Sequence, residues 1–295
     1  MPHQPGLEAP TIGLVLAADP APGGWRNAGT IAAEAEAAGV DAVWVTDHLF
    51  WHRPAADVGA LLALLATHTS HCTLGPLVLQ MPLRCTASTA KTMAFVDYLS
   101  DGRVVVGVGV GEHEAEYTAA GLADRFHVRG RLLDTAMVEM RRAWTHAGDL
   151  KMNPTRELPI WVGGRSERAR ARSVALGDGW IPHLCSLHWY REQMILLSQD
   201  LESAGREGDD FTRGVSLAIA VDEVEPSVDP LSWLGELYSL PPDTFGRRLI
   251  RGSAQEVVEQ ILEFHQAGAD HLAILVAGNR VVDHITPLMQ ALRSA

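Results

Sequence analysis

Residues 103–144 read RVVVGVGVGEHEAEYTAAGLADRFHVRGRLLDTAMVEMRRAW, and this stretch carries the repeating unit of the whole chain. Its opening, VVVGVGV, is a short β-branched apolar run without clean alternation, as expected of a parallel strand covered on both faces. Toward its end, Leu132, Leu133, Ala136, Met137, Met140 and Trp144 fall on one helical stripe, while Arg131, Asp134, Glu139 and Arg142 lie off it. That pattern is an amphipathic helix packed on a sheet. Eight such apolar runs occur, near Thr11–Ala17, Asp41–Thr46, Cys72–Val78, Arg103–Val108, Pro159–Val162, Gly179–Pro182, Gly214–Val221 and His271–Val276. Helices are expected after each, near Ala28–Ala38, Val58–Thr69, Ala87–Leu99, Gly130–Trp144, Glu167–Ala175, Leu187–Ala204, Gln255–Ala267 and Val281–Leu292. Eight β-α units in 295 residues predict a (β/α)8 TIM barrel, one domain spanning 1–295, in preference to an open doubly wound sheet.

Two segments exceed what a minimal barrel needs. Gly111–Arg129 follows the fourth strand. Asp222–Gly252 follows the seventh and contains EVEPSVDPLSWLGELYSLPPDTFG, where four prolines interrupt apolar text and predict an excursion with short helices. Both are loops after strands, and so belong to the C-terminal face where barrel enzymes keep their sites.

Composition narrows the partners. With 36 acidic against 24 basic side chains the net charge is -12, which repels polyanions and argues against nucleic acid. Any anionic ligand must meet a local basic site. Three cysteines without metal spacing read as small buried apolar residues and suit a reducing, cytoplasmic setting. The start MPHQPGLEAP lacks a basic region followed by an apolar core, so no signal peptide is expected, and no run is long enough for a membrane span.

The second strand ends in VWVTDHLFWHR, which puts Asp47 and His48 at its C-terminal end and Trp51 and His52 in the loop beyond. An imidazole suits proton transfer near neutral pH, and a neighbouring carboxylate can orient it. The plainer alternative has Asp47 capping the loop and His48 as an ordinary polar residue. In VVVGVGVGEHEAEY the glycines Gly107, Gly109 and Gly111 let a flat ligand or another backbone come close. They belong to the strand itself, so they are not a dinucleotide fingerprint. Glu112 would stand at the mouth and face His48 as an acid/base partner, whereas Glu114 and Glu116 read as a solvated acidic loop or helix start. After the fifth strand, Gly163 and Gly164 lead through Arg165 and Ser166 into a helix, and such a turn presents free N–H groups and a positive dipole end to an anion. Arg168 is next in line, while Arg170 and Arg172 read as a solvated helical face. Leu77 and Val78 lie where backbone could support a planar ring. Among thirteen histidines there is no HExxH, and no G-x-S-x-G elbow or P-loop occurs, so neither metal nor acyl-transfer chemistry is expected.

Five pieces in order, AEAAGVDAVWVTDHLF, LGPLVLQMPLR, LSDGRVVVGVGVGEHEAEYTAAG, PIWVGGRSERARARSVALGDGWIP and GSAQEVVEQILEFHQAGADHLAIL, resemble the bacterial luciferase-like flavin and deazaflavin oxidoreductases over nearly the whole chain. The resemblance implies an isoalloxazine-type ring in the barrel mouth, backed by a third-strand bulge at Leu77–Val78 that often holds a nonprolyl cis peptide. It places the phosphate end of the cofactor at Gly163, Gly164, Arg165 and Ser166, and the ring beside Asp47, Gly109 and Gly111. The pairing of Asp47-His48 with Gly111-Glu112 looks like the coenzyme F420 branch of sugar-phosphate and alcohol dehydrogenases. There His48 would be the base on a substrate hydroxyl, Glu112 the proton donor by the ring, and Trp51 and His52 substrate contacts. Thr135, at an often acidic helix position, and the loop Leu49–Arg53 depart from that branch, so sugar phosphate is not carried over as the substrate. The alternatives are an FMN-dependent two-component monooxygenase fed by a separate flavin reductase, and a non-catalytic ligand-binding barrel. A homodimer acting on a small molecule is the family-based expectation.

Overall fold

Each apolar run is a strand in the computed structural model, which describes residues 9–17, 24–145, 153–225 and 228–294. Most of the expected leader-free start lies outside the described residues. The strands are β1 (Thr11–Leu16), β2 (Ala42–Val45), β3 (Thr73–Pro76), β4 (Leu79–Gln80), β5 (Val106–Gly109), β6 (Ile160–Gly163), β7 (Gly179–Ile181), β8 (Thr212–Val221), β9 (Leu249–Gly252) and β10 (His271–Val276). Parallel pairing runs in the order β3-β2-β1-β10-β8-β7-β6-β5-β4. β3 and β4 are two pieces of one barrel position: β3 pairs with β2, Leu74 bridges Val104, and β4 pairs with β5, which closes the ring. They part at Leu77–Val78, whose peptide bond is cis, as the family resemblance implies. The far half of β8 outruns β7 and takes β9, built from the second insertion, as an extra parallel neighbour.

The fold is the (β/α)8 barrel expected, and the reason is visible in the side-chain alternation. Val15, Trp44, Ala218, Ala273 and Leu275 share the cluster inside the ring, whereas Leu14, Leu16, Val43, Val45, Leu217, Ile219, Leu272 and Ile274 join the layer beneath the helices. Both faces of these strands are therefore largely apolar, which erases the alternating pattern from the sequence. Trp44 and Trp161, with ring centroids 5.1 Å apart, fill the floor together with His271, whose Nε2 accepts from Trp44 Nε1 at 2.9 Å. Burial pushes that imidazole down to about 3, so it plugs the N-terminal end as a neutral group. The mouth at the opposite end stays open for ligands.

The first insertion folds as a short helix, Glu114–Ala119, and a 3-10 turn over Ala123–Val128. The second gives the helix Pro230–Tyr238, started by Asp229 as N-cap with Pro230 behind it, then a 3-10 turn over Pro242–Phe245 and β9. Its expected residues Pro226 and Ser227 lie outside the described residues. Cys72 and Cys185 are buried as read, but Cys85 is exposed, because it stands ahead of the helix Thr86–Leu99 and not within its packed face. Among the described residues no helix is long and apolar enough to cross a membrane.

Candidate active site

Because β2 ends at Val45, Asp47 and His48 leave the sheet at the mouth. The helix Glu114–Ala119 turns back and lays Glu116 against this loop. Glu116 Oε2 lies 3.0 Å from His48 Nδ1, and Oε1 accepts the backbone N–H groups of Leu49 and Phe50, each at 3.0 Å. Burial would raise the Glu116 carboxyl, but hydrogen bonds from His48, the Phe50 N–H and Gln80, with the charge of His48, outweigh it and hold it at about 2. An ionised carboxylate only accepts, so Nδ1 of His48 carries the proton it shares with Glu116. In the neutral ring Nε2 is then the free base.

Glu112 does not take that position. It stands at the rim with its side chain 81% exposed, and its ion pair is with His113 Nε2 at 3.7 Å. The expected His48–Glu112 pair is thus replaced by His48–Glu116, since the insertion becomes helical at Glu114 and one helical turn brings Glu116, not Glu112, under the loop. Glu116, expected in a solvated acidic loop or helix start, does lie in the first turn of a helix but is 1% exposed.

Asp47 lines the mouth, but both its oxygens are occupied. Oδ2 accepts the backbone N–H of Gln80 at 2.9 Å and Arg84 Nε at 2.8 Å, and Oδ1 accepts Arg84 Nη2. Burial works against the Arg84 charge, yet the Asp47 carboxylate outweighs it and raises the guanidinium above its ordinary value. Asp47 therefore ties the end of β2 to β4. Gln80 completes the tie: its Nε2 donates to the Asp47 carbonyl at 2.7 Å and to Glu116 Oε2 at 3.1 Å, while its Oε1 is buried without a partner.

The floor of the mouth explains the glycines. A Cβ on Gly109 would come 2.4 Å from Val78 Cγ2, and one on Gly163 would come 2.8 Å from Val78 Cγ1. These positions are bare because the Leu77–Val78 bulge fills the space above them. Gly109→Ala should displace Val78 into the cavity and weaken binding of a ring-shaped ligand by about tenfold, the cost of one forced core overlap; an unchanged dissociation constant in a fluorescence titration would refute this packing role. Gly111 lines the cavity beside Gln80 and takes φ 72°, and Gly164 takes φ 113° at the turn after β6.

At that turn Ser166 caps the helix Glu167–Leu176, its Oγ accepting Ala169 N–H at 3.1 Å. Arg165 is exposed and donates to the Leu184 carbonyl at 3.0 Å. It shares a neighbouring cavity with Arg247 and Arg248, both from the second insertion. Arg170 and Arg172 are not the solvated face expected. Arg170 is buried on Asp200 and Gln193, at 2.8 Å and 2.6 Å, and Arg172 pairs with Asp134 on the preceding helix.

Trp51 lies stacked on His48 with centroids 3.8 Å apart and lines the cavity. Its Nε1 donates to the Leu237 carbonyl at 2.9 Å, and His52 Nε2 donates to the same carbonyl at 2.6 Å. His52, expected as a substrate contact, instead latches the loop to the end of the roof helix Pro230–Tyr238, because that carbonyl is one of the unsatisfied last acceptors of the helix.

The cavity so built encloses about 990 Å³, open mouth included. Sequence reasoning missed Glu116, Gln80, His183, Ser216 and Tyr238 in or around it. His183 carries the same signal as His48, a histidine just past a strand's C-terminal end; Tyr238 carries none, since only packing brings the insertion over the mouth. Among the described residues no group of three or more His, Cys, Asp or Glu could hold a metal ion.

The profile of the family described as luciferase-like monooxygenase matches residues 11–229. A relative from Intrasporangium calvum, named F420-dependent glucose-6-phosphate dehydrogenase, is 24% identical over 294 residues, covering 83% of this chain and 87% of its own. Among solved structures, an F420-dependent secondary alcohol dehydrogenase superposes with a TM-score of 0.84 at 20% identity, covering 97% of this chain and 99% of its own. A monooxygenase from Streptomyces bottropensis gives 0.82 at 17%, covering 96% and 99%. At those identities the two structures speak for the fold.

Proposed function

The chain belongs to the luciferase-like monooxygenase family, and from that membership together with its F420-dependent relatives we propose that it is an F420-dependent oxidoreductase acting on a small organic substrate in the barrel mouth. The observation that carries this reading is His48, its Nδ1 fixed on the buried Glu116 carboxylate and its ring on the wall of an apolar, glycine-floored cavity. The chain's own residues fit a planar cofactor with an acidic tail. Leu77 and Val78 offer a bulged backing, Gly109 and Gly163 make room for the Val78 side chain beneath it, and the unpartnered Gln80 Oε1 offers an acceptor beside Gly111. Bound there, the deazaflavin would supply a two-electron hydride acceptor or donor.

His48 Nε2 takes the proton of a substrate hydroxyl in the oxidative direction and returns it in the reductive one. Glu116 holds the tautomer and the ring plane, and Trp51 shields one face of the imidazole from water. Glu112, at the rim, is the second proton-exchanging group and connects the mouth with solvent. Holding reactants in attack geometry in such a cavity supplies much of the rate.

For the anionic end, Gly163, Gly164 and Ser166 contribute the turn ahead of a helix N-terminus and Arg165 the charge, with Arg247 and Arg248 facing the adjoining cavity. Arg165→Glu should weaken F420 affinity by about tenfold or more, since it replaces a cation with an anion where the cofactor's phosphate would lie. Fluorescence titration of the purified protein with F420 and with FMN tests both statements. Saturable F420 binding is expected; FMN binding without F420 binding would make the chain a two-component monooxygenase instead, and an unchanged affinity in Arg165→Glu would move the phosphate elsewhere.

A further inference from the structure

Three side chains of the mouth have no part in the chemistry above: His183, just past β7, Ser216 on β8, and Tyr238 at the last turn of the roof helix. They form a chain. His183 Nδ1 lies 2.9 Å from Ser216 Oγ, and its Nε2 lies 2.5 Å from the Tyr238 hydroxyl. Burial, then the charges of Arg165 and Arg248, push the imidazole down to about 3, so it works as a neutral ring. Burial and the nearby Glu112 carboxylate raise the Tyr238 phenol above its ordinary value, so it keeps its proton. The Tyr238 ring stands edge-on to Trp51 at 6.4 Å, and Trp51 stacks on His48 at 3.8 Å, so the phenol and the His48 imidazole flank one indole on the wall of one cavity.

A neutral imidazole carries one N–H, which leaves two ways to order the hydrogens. Tyr238 can donate to Nε2, with Nδ1–H donating to Ser216. Alternatively Ser216 donates to Nδ1, Nε2–H donates to the phenol oxygen, and the phenol O–H is released toward the cavity. Both orders satisfy both ring nitrogens, so the phenol can be freed by a shift of hydrogens with every heavy atom in place. A hydroxyl that accepts one hydrogen bond while donating another is the stronger donor.

We propose that Tyr238 is a second catalytic residue, its hydroxyl donating to the substrate oxygen whose proton His48 takes, with His183 and Ser216 as positioning residues that turn the phenol O–H toward that oxygen. The substrate class that uses such a pair is an alcohol with its corresponding carbonyl compound. In the oxidative direction the substrate O–H proton goes to His48 Nε2 and the hydride leaves the carbinol carbon for the cofactor, while Tyr238 keeps its own proton and stabilises the negative charge growing on oxygen. This inference rests on the F420 reading.

The test uses whole protein, F420, and as probes 2-propanol, cyclohexanol, their ketones and glucose 6-phosphate. In Tyr238→Phe the F420 dissociation constant, read by fluorescence, is expected to stay within about twofold, while kcat/KM for the best probe falls by about 30-fold through loss of one donor to a charged oxygen. His183→Leu is expected to match that loss. His183→Gln, which can still bond the phenol, should recover most of the activity. Tyr238→Phe within about threefold of the unaltered protein, or a fall in F420 affinity equal to the fall in kcat/KM, would overturn the role. F420 binding with no turnover of any probe would overturn the alcohol–carbonyl assignment and leave the cofactor reading standing; absence of F420 binding would remove both.

Discussion

His48→Ala is expected to lower kcat by about three orders of magnitude while leaving the F420 dissociation constant within about twofold, the usual range for loss of a positioned general base. The separation follows from geometry. His48 presents one edge to Glu116 and Gln80 and one face to Trp51, so only its remaining nitrogen serves the reactants. The groups proposed for the cofactor's anionic end, Gly163 to Ser166, come from β6 and the turn after it, on a different part of the barrel. Added imidazole should restore part of the lost rate by entering the vacated space with Trp51 as one wall and Glu116 as the other. Equal losses of turnover and cofactor affinity would instead make His48 a binding residue.

The barrel was legible in the sequence because each of its determinants is local. Apolar β-branched runs of four to eight residues, amphipathic stripes and turn residues each act over one or two turns of chain, and their eightfold recurrence leaves few topologies. The helices Ala28–Ala38 and Val281–Leu292 end where the pattern ends, and the others lie within a residue of the expected limits. The third strand is the instructive exception. Cys72–Val78 reads as one run, yet the strand stops at Pro76, where the ladder to β2 ends, and the separate piece β4 carries the ladder to β5.

The geometry of the candidate site was legible only where a residue sits on the scaffold. Asp47, His48, Gly109, Gly163 and Gly164 are fixed by strand ends, and spacing from an apolar run places them. Glu112 and Glu116 are fixed by how an insertion folds, and the two differ by one helical turn. No rule of spacing tells which carboxylate meets the imidazole, since that depends on Glu114 starting a helix and on two N–H groups of the Leu49–Phe50 loop needing an acceptor. Likewise Arg170 and Arg172 look alike in ERARARS, but one side of that helix meets Asp200 and the other Asp134, so both are ion-paired rather than free to attract a ligand. Arg165 meets Arg247 and Arg248 on one cavity wall, positive charge drawn from two segments about eighty residues apart.

Glu116→Gln is the second substitution expected to have a large effect, and it acts on turnover and on stability. The carboxylate gives one oxygen to the Leu49 and Phe50 N–H groups and the other to His48 and Gln80, four donors in all. A glutamine has one oxygen for these. If it faces the loop, its NH2 points at His48 Nδ1, which must then accept; the proton moves to Nε2 and the base is lost. If it faces His48, the NH2 opposes two backbone donors and the loop must shift. Either way kcat should fall by about a hundredfold, as expected when a catalytic imidazole loses its orienting carboxylate.

The stability effect carries a sign that pH reveals. The Glu116 carboxyl is held at about 2 in the folded protein against 4.5 in the reference state. Because the folded value is the lower one, its contribution is fully present above about pH 4.5 and is lost as the pH falls toward 2, at most about 3 kcal/mol from a shift of this size. Urea unfolding of the unaltered protein and of Glu116→Gln should therefore differ by about 2–3 kcal/mol at pH 7, with the gap shrinking steadily below pH 4.5. A gap that stays constant down to the lowest pH at which the protein remains folded would mean that the carboxylate is not ionised against His48 and the loop. The tautomer of His48, and with it the free Nε2, would then need another cause.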